Sequence, residues 1–175
     1  PRDMKYGPNG NLYVVSEGTN EVIEYNRNTG DFVRTLVTSG SGGLSGATAL
    51  FFIPGNLLVA SSDTDEILSY NPNNGSFQGA FVSAGSGGLD NPQCIDFGFE
   101  AGANMFVCSF DTDEILQYSR FDGSFIGVFV PPGDGSLDGP VYISFKDKKK
   151  NSSSSCSIAA TGADTKSALP FILLF

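Results

Sequence analysis

The sequence predicts an all-β fold made of repeated four-stranded sheets. Of its 175 residues, 22 are glycine and 15 are phenylalanine, whereas tryptophan is absent and methionine occurs twice. This composition favours short strands joined by tight turns over helices. A hydrophobic fraction of 40% is sufficient for one folded domain and argues against a disordered chain. A long internal repeat, and clusters of turn residues between its short apolar runs, point to the same class.

Three copies of one pattern align without gaps when Asn11, Asn56 and Asn104 are superimposed. In every copy the closing phenylalanine lies 41 residues after the asparagine, at Phe52, Phe97 and Phe145. Each copy predicts four strands. Strand A is "DMKY", "TALFF" or "QCIDF", strand B is "NLYVVS", "NLLVAS" or "NMFVCS", strand C is "EVIEYN", "EILSYN" or "EILQYS", and strand D is "FVRTLV", "FQGAFV" or "FIGVFV".

These runs are rich in β-branched and aromatic residues, as strands require. Segments such as "GPNGN" and "NPNNG" separate them and supply the glycine and asparagine that tight turns need. Tandem four-stranded units of this length are typical of β-propeller blades. We therefore predict blades at 1–46, 47–91 and 92–139, and the first strand of another blade at 140–145.

Three blades are fewer than the four to eight that usually close a propeller ring. We therefore predict that this chain is a fragment of a larger propeller. Exposed blade faces would make an open arc of three blades marginally stable or prone to association.

Two segments of the repeat are "GPNGNLYVVSEGTNEVIEYNRNTGDFV" and "SAGSGGLDNP". They resemble the NHL-type six-bladed propellers of exported bacterial proteins, and the resemblance covers about residues 1–145. Two departures are Ala47, where the other blades open with proline, and "GFEAGAN" in place of "GPNGN" before strand B of the third blade. The resemblance implies a propeller located outside the cytoplasm.

The last 30 residues differ from the propeller in composition. "KDKKKNSSSSC" and the closing apolar run "ALPFILLF" resemble a truncated C-terminal sorting signal of exported bacterial proteins. That resemblance implies Cys156 as a processing or lipid-attachment position, and membrane anchoring only through the tail. The alternative is a flexible low-complexity tail.

The distribution of charge along the chain bears on which partners and reactions the sequence favours. Residues 1–145 carry 5 Lys and Arg against 17 Asp and Glu, whereas residues 146–175 carry 5 against 2. An acidic body would be repelled by phosphate backbones, so we expect no nucleic-acid partner. Histidine is absent, which removes the commonest general base and metal ligand from this chain.

The spacing of the three cysteines in the sequence matches neither a disulfide framework nor a zinc site. Cys94 and Cys108 fall in adjacent predicted strands, where we interpret them as small buried residues.

The motif "DTDE" places three carboxylates between strands B and C and occurs twice. Its members are Asp63, Asp65, Glu66, Asp111, Asp113 and Glu114. Most simply it is a polar turn, in which Asp63 and Asp111 accept backbone hydrogen bonds from two residues further on, with help from Thr64 and Thr112. A weak surface cation site is the second interpretation; Ca²⁺ is the cofactor that it would take, since carboxylates and loop carbonyls bind hard cations. Blade 1 has Gly-Thr-Asn-Glu at the same place, which keeps the turn and loses charge.

Alternation of antiparallel strands puts the B–C turns and the D–A loops at the same end of the blades. We expect this end to be strongly acidic and to bind a protein or glycan partner. The leading functional hypothesis is therefore a non-enzymatic binding scaffold at the bacterial cell surface or outside the cell, without a cofactor.

The alternative is a metal-dependent lactonase or hydrolase of the propeller type, with most of its site residues in blades that this fragment lacks. Propeller lactonases hold a divalent metal at the channel mouth through carboxylates and asparagine. Asp96, on the predicted inner strand of blade 3, is the one obvious ligand of that kind, and the simpler interpretation is a solvated channel residue. The tyrosines and phenylalanines repeated in strands C and D are predicted to pack between blades rather than to stack on a ligand.

Overall fold

The computed structural model describes residues 1–98 and 103–145 and shows three four-stranded antiparallel sheets. Each sheet is a meander in which strands follow chain order. The strands of sheet 1 are β1 (Met4–Tyr6), β2 (Leu12–Ser16), β3 (Glu21–Tyr25) and β4 (Phe32–Val37). Those of sheet 2 are β5 (Ala47–Ile53), β6 (Asn56–Ser61), β7 (Glu66–Tyr70) and β8 (Phe77–Val82). Those of sheet 3 are β9 (Pro92–Phe97), β10 (Met105–Ser109), β11 (Glu114–Tyr118) and β12 (Phe125–Val130).

The first strands of successive sheets are neighbours: β5 contacts both β1 and β9. The sheets, called blades 1 to 3 below, are thus arranged around their first strands, as in a propeller. The core lies between blades rather than within one. Between blades 1 and 2 it includes Tyr13, Val15 and Leu44 from one sheet and Leu57 and Leu68 from the other.

The contact between blades is made by the same repeat positions twice. The Tyr70 hydroxyl donates a hydrogen bond of 2.7 Å to the Ser41 carbonyl of blade 1. Tyr118 donates an equivalent bond of 2.7 Å to the Ser86 carbonyl of blade 2. Burial is the main cause that raises the pKa of both phenols, so they remain protonated donors. The predicted inter-blade role of the tyrosines in blades 2 and 3 is confirmed.

A phenylalanine next to each of these tyrosines covers a glycine of the preceding blade. Phe77 lies over Gly42, and Phe125 lies over Gly87. Both glycines have positive φ, 62° and 65°, so the covered loop favours glycine for its backbone as well as for the close approach. The loop between blades is therefore shaped to receive an aromatic ring.

Residues 140–145 differ from the sequence prediction, because the structure assigns no strand to them. In the described part of the chain no following strand is available to pair with this segment, and pairing defines a strand. Ile143 and Phe145 nevertheless pack with Phe106 and Cys94 in the cluster of buried side chains that ends the blade series. The Phe106 and Phe145 ring centroids are 4.7 Å apart.

Cys94 and Cys108 are buried, as predicted, but their bond to each other was not predicted. They form a disulfide whose Cα atoms are 5.1 Å apart. The two residues are directly opposite each other in the pairing of β9 with β10, which places their side chains within bonding reach. The disulfide ties these strands together in the blade whose A–B connection is the longest of the three.

The tail and its Cys156 lie outside the described residues. Within the described ranges, no helix is long and apolar enough to cross a membrane.

Candidate functional site

The structure brings the B–C turns and the D–A loops to one end of the blades, as predicted. We call this end the acidic loop face: the turns 17–20, 62–65 and 110–113 and the loops 38–46, 83–91 and 131–139. Neither set contains lysine or arginine. The exposed carboxylates on it are Asp63, Asp90, Asp111, Asp134 and Asp138. Charge therefore increases from blade 1, which has one acidic residue in these segments, to blades 2 and 3.

The last residue of each turn binds the D–A loop that follows the last strand of its own blade. Asn20, Asp65 and Asp113 occupy the same repeat position and have φ between 54° and 57°, a left-handed conformation that Asn and Asp tolerate better than other side chains. The side-chain oxygen of Asp65 accepts the N–H of Asn91 at 2.8 Å. That of Asp113 accepts the N–H of Gly139 at 2.8 Å.

Asn20 makes the same connection with a neutral amide. Its Oδ1 accepts the N–H of Gly46 at 2.7 Å and that of Ala47 at 3.2 Å. What the position requires is an oxygen acceptor on a residue that adopts positive φ. A negative charge is not required there.

The first aspartate of each motif binds the D–A loop instead of its own turn. Asp63 accepts a hydrogen bond of 2.8 Å from the Ser45 hydroxyl, and Asp111 accepts one of 3.0 Å from the Asn91 side-chain amide. The expected hydrogen bonds from backbone amides two residues on do not occur at these carboxylates among the described residues. The motif forms a turn, as predicted, but the hydrogen bonds that we expected within the turn at Asp63 and Asp111 are absent from the described residues.

The serine that ends strand B forms hydrogen bonds with both the turn and the D–A loop. The Ser61 hydroxyl donates to the Ser45 carbonyl at 2.9 Å and accepts the Ser45 N–H at 3.0 Å. Thr64 donates to the same hydroxyl at 2.8 Å. Ser109 and Thr112 repeat this arrangement in blade 3 around Asp90. The loop face is thus held by a repeated network, and the two threonines take part as expected.

Carboxylates of neighbouring blades approach one another on this face. Asp90 is exposed, but partial desolvation by the surrounding loop, followed by the charges of Asp65 and Asp111, raises its pKa. Glu66 and Glu114 begin strands β7 and β11, where they lie opposite Ser61 and Ser109. In the described residues, no group of three or more acidic or cysteine side chains has the geometry to hold a metal ion. The carboxylates form an extended acidic surface rather than one cluster.

Asp96 is engaged by the backbone on both of its oxygens. Oδ1 accepts the N–H of Phe97 at 2.7 Å, and Oδ2 accepts the N–H of Phe145 at 3.2 Å. Burial raises the pKa of this carboxyl, against the opposing effect of the two N–H groups. Asp3, at a different repeat position, makes a similar link between blades 1 and 2: its oxygens accept the N–H groups of Met4 and Leu50. The bonds of Asp96 give it a structural role in joining β9 to segment 140–145.

Sequence reasoning missed a buried carboxylate at the opposite end of blade 1. The Glu24 side chain is 2% exposed. Its Oε1 accepts bonds from Asn9 and Asn11 at 2.7 and 2.8 Å, and its Oε2 accepts the Nε–H of Arg34 at 2.6 Å. Arg34 in turn donates to the Asn73 carbonyl of blade 2 at 2.8 Å.

Burial alone would raise the pKa of Glu24, but the hydrogen bonds from Asn11, Arg34 and Asn9 and the charge of Arg34 outweigh it and lower the pKa to about 2. The sequence contained one signal for this pair, because Glu24 and Arg34 are directly opposite in the hairpin of strands C and D. The other blades have Ser69 and Gln117 at this position, so the repeat did not mark it.

Solved structures similar to this chain are propeller-type proteins. A chain of the nidogen/laminin complex superposes with a TM-score of 0.61 at 16% identity, covering 78% of this chain and 49% of that one. Hydrazine synthase of Kuenenia stuttgartiensis gives 0.61 at 14% identity, covering 80% and 37%. A catalytically inactive virginiamycin B lyase from Staphylococcus aureus with quinupristin gives 0.59 at 15% identity, covering 82% and 45%.

The chain has the β-propeller fold. It spans less than half the length of each of these structures, and identities of this size show the fold alone. No protein-family model matches the sequence, nor does any curated protein.

Proposed function

We propose that this protein is a non-enzymatic binding scaffold, an exported NHL-type propeller that contacts a protein or glycan partner through the acidic loop face. The proposal rests on one observation: the turns and loops of that face are held in place by hydrogen bonds, and the face is negatively charged. Hydrogen bonds fix its turns to the D–A loops, and five carboxylates remain exposed on it. A surface that is ordered before binding loses little conformational entropy on association.

The exposed carboxylates determine which chemistry the face would recognise. Carboxylates accept charge-assisted hydrogen bonds from arginine and lysine, and ordinary hydrogen bonds from sugar hydroxyls. Arg2 neutralises Glu17 in the turn of blade 1, whereas none of the five exposed aspartates forms a salt bridge among the described residues. Their negative potential would also speed the encounter with a basic partner.

The disulfide supports the location that we propose. Disulfides persist in secreted and cell-surface proteins and are rare in the cytosol, and Cys94 and Cys108 are bonded here. Export also agrees with the resemblance of the tail to a sorting signal, in which Cys156 would be the modified residue.

A binding screen of the whole chain tests this function. We would immobilise the protein, screen a glycan array and extracellular protein fractions, and titrate each hit with the parent and with Asp63→Ala/Asp111→Ala. We expect the double variant to weaken binding at least about tenfold, or about 1.4 kcal/mol, and added salt to weaken binding of the parent. The charge-matched control is Asp31→Ala/Asp122→Ala, in the C–D turns at the other end of blades 1 and 3. Equal binding by both double variants would refute the role of the acidic loop face.

The metal-dependent lactonase or hydrolase remains the alternative proposal. Enzymes occur among the similar structures, but nothing in the described residues favours a metal at Asp96, whose two oxygens each accept a backbone N–H. Elemental analysis for a stoichiometric divalent metal and hydrolysis assays with and without EDTA distinguish the two proposals. A bound metal together with EDTA-sensitive turnover would favour the enzyme.

A further inference from the structure

A cavity of about 500 Å³ lies between blades 1 and 2, at the end opposite the acidic loop face. It is bounded by the A–B connections of both blades and by the C–D turn of blade 2, and its blade 2 side includes Phe52, Gly55 and Pro72. Both walls belong to blades that are neighbours in the chain, so a further blade before blade 1 or after blade 3 would not occupy it. Its volume is within the range of small-molecule sites.

An arginine covers the corresponding place in the other two blades. One position of the repeat lies in the C–D turns, at Arg27, Pro72 and Arg120. The Arg27 guanidinium lies over the Tyr6 ring, with 5.5 Å between Cζ and the ring centroid. Arg120 lies over the Phe97 ring in the same way, at 6.0 Å. Phe52 is the equivalent ring of blade 2, where proline stands in place of the arginine.

The backbone of blade 2 has the shape that receives an arginine in blade 1. Gly10 and Gly55 each precede the first residue of the aligned repeat and have φ of 81° and 83°. Arg27 lies over Gly10, with Nη1 and Cδ 3.4 and 3.8 Å from the place where a Cβ would lie, whereas nothing lies within 4 Å of that place at Gly55. Phe52 is held by an edge-to-face contact with Tyr13, with 5.0 Å between ring centroids. The ring and the glycine that Arg27 contacts thus both have counterparts in the wall of the cavity.

We propose that this cavity, which we call the Phe52 cavity, binds an arginine side chain of a partner peptide or protein. The guanidinium would stack on the Phe52 ring and extend over Gly55. Arg27 makes this arrangement within blade 1. A cation over an aromatic face is attracted by the ring quadrupole, and arginine takes this role more often than lysine. The site lies at the other end of the blades from the acidic loop face and does not depend on the function proposed for that face.

The charges of the chain favour a cation at this site. No residue that lines the cavity is charged, and residues 1–145 carry 5 basic against 17 acidic residues, so the blades attract cations from solution. Arg34 contacts the cavity wall, where it donates a hydrogen bond of 2.8 Å to the Asn73 carbonyl. Its charge is compensated by Glu24 at 2.6 Å. Arg27 is exposed, so solvent and salt screen its charge.

Binding of short peptides tests the ligand chemistry. We would titrate isotopically labelled protein with end-blocked Gly-Gly-Xaa-Gly-Gly peptides, in which Xaa is arginine, citrulline or trimethyllysine, and follow the backbone amide signals by NMR. The arginine peptide should shift the signals of the wall, such as those of Gly7, Gly55 and Asn73, and saturate in the millimolar range. Citrulline has the same shape without the charge and should bind about tenfold more weakly, a factor within the range of a cation–π contact. Trimethyllysine should also bind more weakly, because it lacks a planar group that stacks on the ring.

Pro72→Arg lets the chain fill the cavity with its own side chain. The fold should accept this change, because arginine occupies the same turn position in blades 1 and 3. We expect binding of the arginine peptide to fall by about tenfold or more. The charge-matched control is Asn74→Arg, in the same turn but outside the cavity wall, which should keep most of the binding. It separates filling of the cavity from simple repulsion between charges.

Phe52→Leu tests the stacking contact directly. Leucine keeps an apolar side chain but has no ring face, so the preference for arginine over citrulline should disappear. Equal binding of the arginine and citrulline peptides by the parent, tighter binding of trimethyllysine, or full binding by Pro72→Arg would each overturn the proposal. So would the absence of saturable shifts at the wall, or shifts confined to the acidic loop face, for example at Thr64 and Thr112.

Discussion

Replacing Glu24 by glutamine should destabilise the protein in a strongly pH-dependent manner. The pKa of Glu24 is lowered from 4.5 to about 2, and at 1.36 kcal/mol per pH unit this corresponds to about 3 kcal/mol of extra stability for the ionised form. Arg34, its charged partner, is 39% exposed, so solvent screens part of the attraction and we expect about 2 kcal/mol.

The direction of the pH dependence follows from the lowered pKa. Stability from Glu24 is fully present above about pH 4.5, where the unfolded chain is also ionised, and is lost as the pH falls toward about 2. Glu24→Gln lacks this contribution throughout. The difference in unfolding free energy between parent and variant should therefore be largest near neutral pH and shrink as the pH falls through this range.

Urea unfolding followed by circular dichroism, at several pH values from neutral to about 2.5, measures this difference. Glu17→Gln is the matched control, since Glu17 pairs with Arg2 in the same blade but both side chains are more than 40% exposed. We expect it to cost at most about 1 kcal/mol. A loss for Glu24→Gln that does not change with pH, or that equals the loss for Glu17→Gln, would refute the reasoning.

Two further predictions concern the contacts within and between blades. In urea unfolding, Gly75→Ala should destabilise the protein by several kcal/mol more than Gly30→Ala. Both glycines have positive φ, but only at Gly75 would a Cβ collide with the Leu36 carbonyl. Equal losses of stability would contradict the predicted collision. Replacing Cys94 and Cys108 together by alanine should lower the free energy of unfolding by about 3 kcal/mol, the value expected for a loop of about 15 residues. The thermal midpoint of the parent should also fall on treatment with a dithiol reductant. An unchanged midpoint would contradict a structural disulfide.

Most of the fold could be predicted from the repeat, because turn residues and strand alternation are local properties of the sequence. Segment 140–145 is an exception, because local sequence alone does not determine its structure. It has the composition of strand A, but a strand forms only when a neighbour pairs with it, and in the described residues no such neighbour follows.

The site could be predicted only in outline. Antiparallel order was enough to place the turns and loops at the same end. Which oxygen binds which N–H was not predictable, because the partners of Asp65 and Asp113 are 26 residues further along the chain, in the D–A loops. The disulfide depended in the same way on strand register, which aligns Cys94 with Cys108 across a connection longer than those of the other blades.

The central claim is that the aspartates that end the acidic turns serve as hydrogen-bond acceptors for the D–A loops and not as charged ligands. Asp65→Asn/Asp113→Asn and Asp65→Ala/Asp113→Ala test it by urea unfolding with and without Ca²⁺. Because Asn20 makes the same bonds in blade 1, the asparagine variant should stay within about 0.5 kcal/mol of the parent, while alanine leaves a backbone N–H unpaired at each site and should cost about 1–3 kcal/mol per site. Asparagine as damaging as alanine, or Ca²⁺ stabilising the parent alone, would contradict the account.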